Sequence, residues 1–477
     1  MVDPAGPEVA PTARPGYRFE PLARGGVMLG LSGGQLALVG ACVLAALIAL
    51  RAAPGAGGFA AAGGAVLCAV AACRPVAGRS LLQWAGVASR FVGRRKRQVG
   101  APPGHVPGRH SLRLPDETFA QGVYLAEAVG SGAEGRLGVV LDERTGTAAA
   151  LLRARGGAFC LLDGPGKEQR LAAWAGVLES LANQRSQLVR LQWCQRALPG
   201  DAAGLLAHLK RTGDPAVPGF AGQCMLLESA GDRAWRHETV LVLAVRAPVA
   251  RRHGRVPSEV ALVLRNEVFS LRAQLHGAGI ACDGPLDAEG TAGALGSLLV
   301  PGLDRHRRMY PWPLAVEEGW AEVRAGGWWH RTYWVAEWPR SRVGPDFLAP
   351  LLVGRGRRSF SVVMAPVAPE RAARDAESSR TAQLADARLR AQGGFLETAR
   401  HRRQAEALEG REVELADGRG AYQFAGYVTV SASGKEELDR CGADLERAAG
   451  AARLCLRPLY GQQKDALIWA LPFGRGL

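Results

Sequence analysis

Residues 31–50 read LSGGQLALVGACVLAALIAL. The run carries no charge and has the twenty-residue length that a bilayer core requires of a helix. A second run, Gly57–Cys73 (GGFAAAGGAVLCAVAAC), is shorter and rich in Ala and Gly. Between them Arg51-Ala52-Ala53-Pro54-Gly55-Ala56 reads as a tight turn. The pair predicts a two-helix transmembrane hairpin over 31–74, preceded by a cytoplasmic segment, 1–30. A secretory signal peptide is one alternative for the first run. The run is too long for it, begins after thirty residues and is followed at once by a second run. A buried hairpin in a soluble protein is the other alternative. Gly33, Gly34, Gly40, Gly63 and Gly64 would let two helices pack closely in lipid.

The flanks set the expected orientation. Arg14, Arg18 and Arg24 precede the first run, Arg74, Arg79, Arg90, Arg94, Arg95, Lys96 and Arg97 follow the second, and the loop between has only Arg51. Positive charge stays on the cytoplasmic side, so both termini of an inner-membrane, multi-pass protein are expected there. The chain has 477 residues and a net charge of +15. Residues 1–99 hold 11 Lys/Arg and 3 Asp/Glu, about half of that excess in a fifth of the length. A basic excess fits nucleic acid or an anionic membrane; its position beside the apolar runs favours the membrane.

Residues 75–98 continue the anchor. Leu81, Trp84, Ala88 and Phe91 recur at helical spacing, with basic residues around them. The pattern predicts a basic amphipathic helix lying on anionic lipid headgroups. Its membrane-interface residues would be Arg74, Arg79, Trp84, Phe91, Arg94, Arg95, Lys96 and Arg97. Contact of the 94–97 cluster with nucleic acid is the alternative.

Residues 99–115 are Pro/Gly-rich and read as a linker. The rest predicts an α+β fold in two cytoplasmic domains, 116–330 and 331–477. Strands are expected at 135–141 and 148–154 around the turn Asp142–Gly146, at 158–162, 188–197, 237–245, 328–337, 358–366, 422–431 and 453–460. Helices are expected near 168–184, 201–210, 258–277, 347–352 and 435–451. Residues 370–409 are charged, Ala-rich and broken at Gly393-Gly394, which predicts a helical hairpin insertion. Strand-helix-strand order around antiparallel hairpins suggests two ferredoxin-like units.

Catalytic motifs are incomplete. Gly130-x-Gly132-x-x-Gly135 matches the dinucleotide fingerprint, but a strand-like run follows where a helix is needed, so it reads as a hairpin turn. Gly166-Lys167 and Gly434-Lys435 lack the Ser/Thr that holds Mg²⁺, and Leu161 and Thr429 stand where the loop needs Gly. The nine Cys form no CxxC pair, which argues against a zinc site, and their odd number against a disulfide framework. No catalytic residue, metal or cofactor is expected. The aromatic stretch Trp312, Trp320, Trp328, Trp329, Trp334 and Trp338 reads as core and one face of a sheet; stacking on single-stranded nucleic acid is its functional alternative.

Three blocks carry a resemblance. YRFEPLARGGVMLGLSGGQLALVG (17–40) and CRPVAGRSLLQWAGVASRF (73–91) resemble the actinobacterial PrgI-type two-span membrane proteins. RTYWVAEWPR (331–340), FLAPLL (347–352) and SFSVVMAPV (359–367) resemble the N-terminal, non-motor region of the type IV secretion (conjugation) ATPases. LYGQQKDALIWALPFG (459–474) is similar to the segment where that region passes into the motor. The resemblance implies a scaffold of a conjugation-like system that docks a separate P-loop secretion ATPase beside other inner-membrane subunits, in an oligomeric assembly and without ATPase activity of its own. A type VII secretion membrane component of the EccE kind, and a membrane-tethered DNA-binding protein of a conjugative element, remain open.

Overall fold

The first apolar run forms helix α1, Gly33–Ala52, and α2, Ala56–Cys73, follows. α1 is long and apolar enough to cross a membrane, with a mean hydropathy of 2.2. Only 6% of its apolar window is buried, and Val43, Leu44, Leu47 and Ile48 face outward. The apolar stretch of α2 is shorter, Ala56–Val70. The two helices touch along their lengths. The structure, a computed structural model, describes residues 33–52, 55–74, 78–98, 111–113, 122–129, 135–155, 157, 159–183, 186–200, 202–230, 235–247, 256–300, 313, 316–354, 356–392 and 399–477.

Beyond a third helix, α3 (Leu81–Gln98), the described chain is mixed helix and antiparallel sheet. The strands are β1 (Ser111–Arg113), β2 (Val123–Val129), β3 (Arg136–Asp142), β4 (Thr147–Arg155), β5 (Leu188–Pro199), β6 (Trp235–Arg246), β7 (Ala281–Pro285), β8 (Val316–Glu318), β9 (Val323–Ala325), β10 (Trp328–Glu337), β11 (Arg358–Val367), β12 (Ala421–Ala432) and β13 (Cys455–Pro458). They join in one sheet, ordered β1-β2-β3-β4-β6-β5-β11-β12-β10-β9-β8, with β7 on β4 and β13 on β10. The helices between them are α4 (Gly164–Asn183), α5 (Ala202–Thr212), α6 (Phe220–Ala230), α7 (Ser258–Gly277), α8 (Ala288–Leu299), α9 (Ala349–Leu352), α10 (Pro369–Gln392), α11 (Ala399–Ala416), α12 (Lys435–Ala451) and α13 (Gln463–Ala470).

Both faces of the central strands are covered, which is why they read as continuous apolar runs. Along β6, Leu241, Leu243 and Val245 pack with Val177 and Leu181 of α4 and Leu264, Val268 and Leu271 of α7. The alternating Val240, Val242 and Ala244 face the opposite side, under Leu295 and Leu299 of α8 and Leu467 after the turn into α13. α12 lies on the α4/α7 side, where Trp193 and Met364 bridge the two clusters. One strand order occurs twice: β7-β4-β6-β5 and β13-β10-β12-β11. Edge strands β5 and β11 pair with each other over Ala197↔Arg358 to Leu191↔Met364, which makes the two quartets one sheet. Each quartet sends a helical pair out between its second and third strands, α5–α6 in the first and α10–α11 in the second.

Four expectations need correction. The division at 330/331 cuts through a continuous unit, because β8 and β9 precede it yet extend the meander onto β10. The linker 99–115 contains β1, paired with β2 over Ser111↔Ala126 to Arg113↔Tyr124. The insertion expected at 370–409 runs on to Ala416, since no strong breaker interrupts α11 before it. Phe159–Leu161 is a turn of 3-10 helix leading into α4 rather than a strand; Asp163 accepts from the Gly166 N–H at 3.0 Å and turns the chain into that helix. The segments 1–30 and 99–110, the Gly130–Gly132 part of the Gly-rich turn, Trp312 and the Gly393-Gly394 break lie outside the described residues. The described ends of that turn do show a hairpin, with Val129 opposite Arg136.

The segment after α13 binds the two quartets together. Gln192 of β5, fully buried, donates to Ser361 Oγ on β11 at 2.7 Å and to Leu471 O at 2.9 Å, and accepts from the Gly474 N–H at 2.7 Å. Arg190 donates to Gly474 O at 2.7 Å and Tyr427 to Gly476 O at 2.6 Å. Arg475 makes a two-pronged pair with Asp142 at the end of β3, at 2.5 and 2.6 Å. Burial alone would raise the Asp142 carboxyl, but the Arg475 guanidinium outweighs it and holds the group below its ordinary value.

Candidate membrane-proximal interface

The apolar positions of α3 fall on one side because Trp84, Val87 and Phe91 are three and four residues apart. That stripe covers protein. Trp84 lies against Trp320, with ring centroids 5.9 Å apart, and against Tyr460 at 6.3 Å. Phe91 meets Trp320 edge-on at 5.3 Å, and Val87 is buried. Trp320 sits in the β8–β9 turn and Tyr460 between β13 and α13, so the helix is seated against the β8 side of the sheet. Gly461 allows the approach. Its φ is +66°, its N–H donates to Trp320 O at 2.7 Å, and a Cβ there would come within 2.7 Å of the Trp320 ring and 2.9 Å of Val87.

Polar groups frame the aromatic contact. Arg79 donates to Gln462 Oε1 at 2.8 Å and lies over the Trp84 ring, 5.5 Å from its centroid. Arg94 pairs with Asp465 at the start of α13, donates to Gly461 O at 2.9 Å and lies 3.8 Å from Glu318. Burial raises the Glu318 carboxyl above its ordinary value, against the pull of Arg94, and lowers the Lys464 ammonium beside it.

Trp84, Phe91, Arg79 and Arg94, expected among lipid headgroups, all contact the sheet region, so the apolar stripe itself is covered by protein. The spacing correctly marked an amphipathic helix, but spacing carries no information about which apolar surface the stripe meets. Arg74 is exposed just beyond α2. The side chains of Arg95, Lys96 and Arg97 lie outside the described residues. Sequence reasoning missed Trp320, Gly461, Gln462 and Asp465. The run of Trp residues was a signal, but nothing separated Trp320 from Trp338, which packs on Phe360 and Phe424 in the core.

No family model and no curated protein matches this chain.

The two motifs that looked like phosphate loops hold their lysines elsewhere. Lys167 pairs with Asp346 at 2.8 Å and Lys435 with Glu322 at 3.0 Å, so neither ammonium points into a backbone cradle. A shallow groove of about 300 Å³ between α4 and α7 is lined by Ala173, Gly176, Ser180, Gln274 and Gly277, with no titratable side chain. Cys194 is buried, donates weakly to Ser361 Oγ at 3.5 Å, and has its thiol pushed up to about 12 by burial. Such a thiol is no nucleophile at neutral pH. Trp329, Trp334 and Trp338 pack with the core, and Trp328 and Trp329 also lie under Arg357 (4.8 Å) and Arg324 (5.5 Å).

Proposed function

We propose that this chain is a non-enzymatic scaffold of a conjugation-like secretion system, held in the bacterial inner membrane by two spans with both termini cytoplasmic, and that it presents a docking surface to a separate P-loop ATPase. The observation that carries the reading is the seating of α3. A helix directly after the apolar segment is clamped to the sheet by contacts among four aromatic rings and by Arg79 and Arg94. A tether that only retains a protein at a membrane needs no such clamp; a platform that must hold a partner at a set distance from the bilayer does. Two ferredoxin-like units are part of the proposal, supported by the repeated 4-1-3-2 strand order of the quartets.

The topology is tested with a thiol reagent that does not cross membranes, in cells whose protein has its exposed native cysteines replaced by Ser. Gly55→Cys, between α1 and α2, should label from outside and Gly434→Cys should not. Labelling of both positions, or of Gly434→Cys alone, ends the two-span orientation.

The ATPase is expected to dock on α10–α11. These helices are exposed and highly charged, joined by Arg380–Glu412, with Ala372 and Ala376 seating only the base of α10. Deleting 370–416 should leave the chain in the membrane fraction and release the ATPase that co-purifies with the intact protein. An ATPase that stays bound rules out the hairpin as the dock. Failure to recover any P-loop ATPase with the intact chain defeats the platform itself.

A further inference from the structure

Near the start of α3 three guanidinium groups gather without a carboxylate: Arg457 reaches the Gly78 carbonyl next to Arg79, and Arg90 folds back along the helix towards Gly86. Arg79 precedes α3 and Arg90 lies on it, whereas Arg457 comes from β13, where it pairs with Trp334. Gly78, at φ +79°, turns the chain tightly enough for its carbonyl to accept from Arg457 at 3.2 Å; any Cβ at this position would collide with that guanidinium. Among the described residues no Asp or Glu pairs with Arg79, Arg90 or Arg457, and Arg79 Nη1 is buried with no partner. Arg94 also has a buried Nε without a partner, but it is balanced by both Asp465 and Glu318. Burial and then the charges of Arg457 and Arg90 push the Arg79 guanidinium below its ordinary value, the direction set by gathered like charge. Three cations gathered without a counter-charge attract an anion. Planar guanidinium groups match the oxygens of a phosphate. The cluster begins six residues after α2 ends at Cys73.

We propose that Arg79, Arg90 and Arg457 form a binding site for a phosphate group, supplied by the headgroup of an anionic phospholipid at the membrane surface. The lipid source rests on reading α1 and α2 as the membrane anchor; the phosphate chemistry does not. Arg457 is the decisive residue, because it is remote in sequence from every apolar run and belongs to no basic cluster that would attract a bilayer by itself.

The test uses the full chain, purified in neutral detergent and examined by native mass spectrometry from micelles holding equal phosphatidylglycerol and phosphatidylcholine. Phosphatidylglycerol should be retained in preference, and R457Q and R90Q should each lower its retention by about fivefold, the contribution of one arginine at an anionic surface. Thermal unfolding of both variants should match the unsubstituted chain, which separates lost binding from lost fold. Unchanged retention in both variants, with no phosphate binding that depends on Arg457, overturns the site. A second arm replaces the anionic lipid by inorganic phosphate. Phosphate binding that depends on Arg457, without lipid preference, overturns the lipid assignment in favour of a soluble phosphate. Alkaline extraction of cell membranes reports on the anchor separately: release of the unsubstituted chain defeats the anchor reading and leaves the phosphate arm interpretable.

Discussion

Replacing Arg475 by Ala should destabilise the folded sheet by about 3 kcal/mol at neutral pH, the cost of leaving one member of a buried ion pair alone. The Asp142 side chain is 1% exposed and that of Arg475 9%. Without the guanidinium, Asp142 keeps the N–H groups of Arg144 (3.0 Å) and Thr145 (3.3 Å), which keeps the loss near the lower end of the usual range. The pH dependence follows from the direction of the shift. In the intact protein the Asp142 pKa is depressed. Its contribution is therefore fully present above the ordinary carboxylate range and is lost as pH falls through the lowered folded value. In R475A burial, the largest influence on this carboxyl, is opposed only by the Arg144 and Thr145 N–H groups, and the group moves up. The variant then prefers a protonated Asp142, and the gap to the intact protein should narrow as pH falls from 7 towards about 4. Denaturant unfolding in detergent at a series of pH values reads both effects. A loss below about 1 kcal/mol at pH 7, typical of an exposed pair, would mean that Arg475 does not hold the end of β3.

Gly461→Val should lift α3 off the sheet. The new side chain would meet Trp320 and Val87 at distances no Cβ tolerates, and a β-branched residue at φ +66° is strained in any surroundings. A combined penalty of about 2–3 kcal/mol corresponds to roughly 30- to 150-fold faster amide exchange through Leu81–Gln98, with the interior of β4 and β6 unchanged. Trp320→Ala offers an independent route. The ring is 40% exposed, so its removal should empty the α3 seat without opening the core. If exchange in α3 stays slow in both variants, the aromatic seat is not what holds the helix.

Local pattern carried a good part of this protein. Twenty uncharged residues specify an apolar helix wherever the chain goes, and α1 covers 33–52 within and just beyond that run. Period-two alternation located β6, β10, β11 and β12 to within about two residues, and helical spacing located α7 over its full span. The amphipathic stripe of α3 was legible too, because adjacent turns of a helix bring Trp84, Val87 and Phe91 to one side whatever they face.

Only the tertiary structure decided what each face meets. Alternation tells which residues of β5 and β11 share a face but not that these two edges pair, and that pairing makes one sheet of the expected two domains. The stripe of α3 required an apolar cover, and lipid and the Trp320–Tyr460 surface satisfy that requirement equally until the fold brings the second within 6 Å. Arg457 joins Gly78 and Arg475 joins Asp142 across separations of more than 300 residues. The physical reason is common to all three cases. Periodicity is a property of neighbours along the chain, whereas the partner of a face or a charge is chosen by contacts between distant segments, which no local pattern encodes.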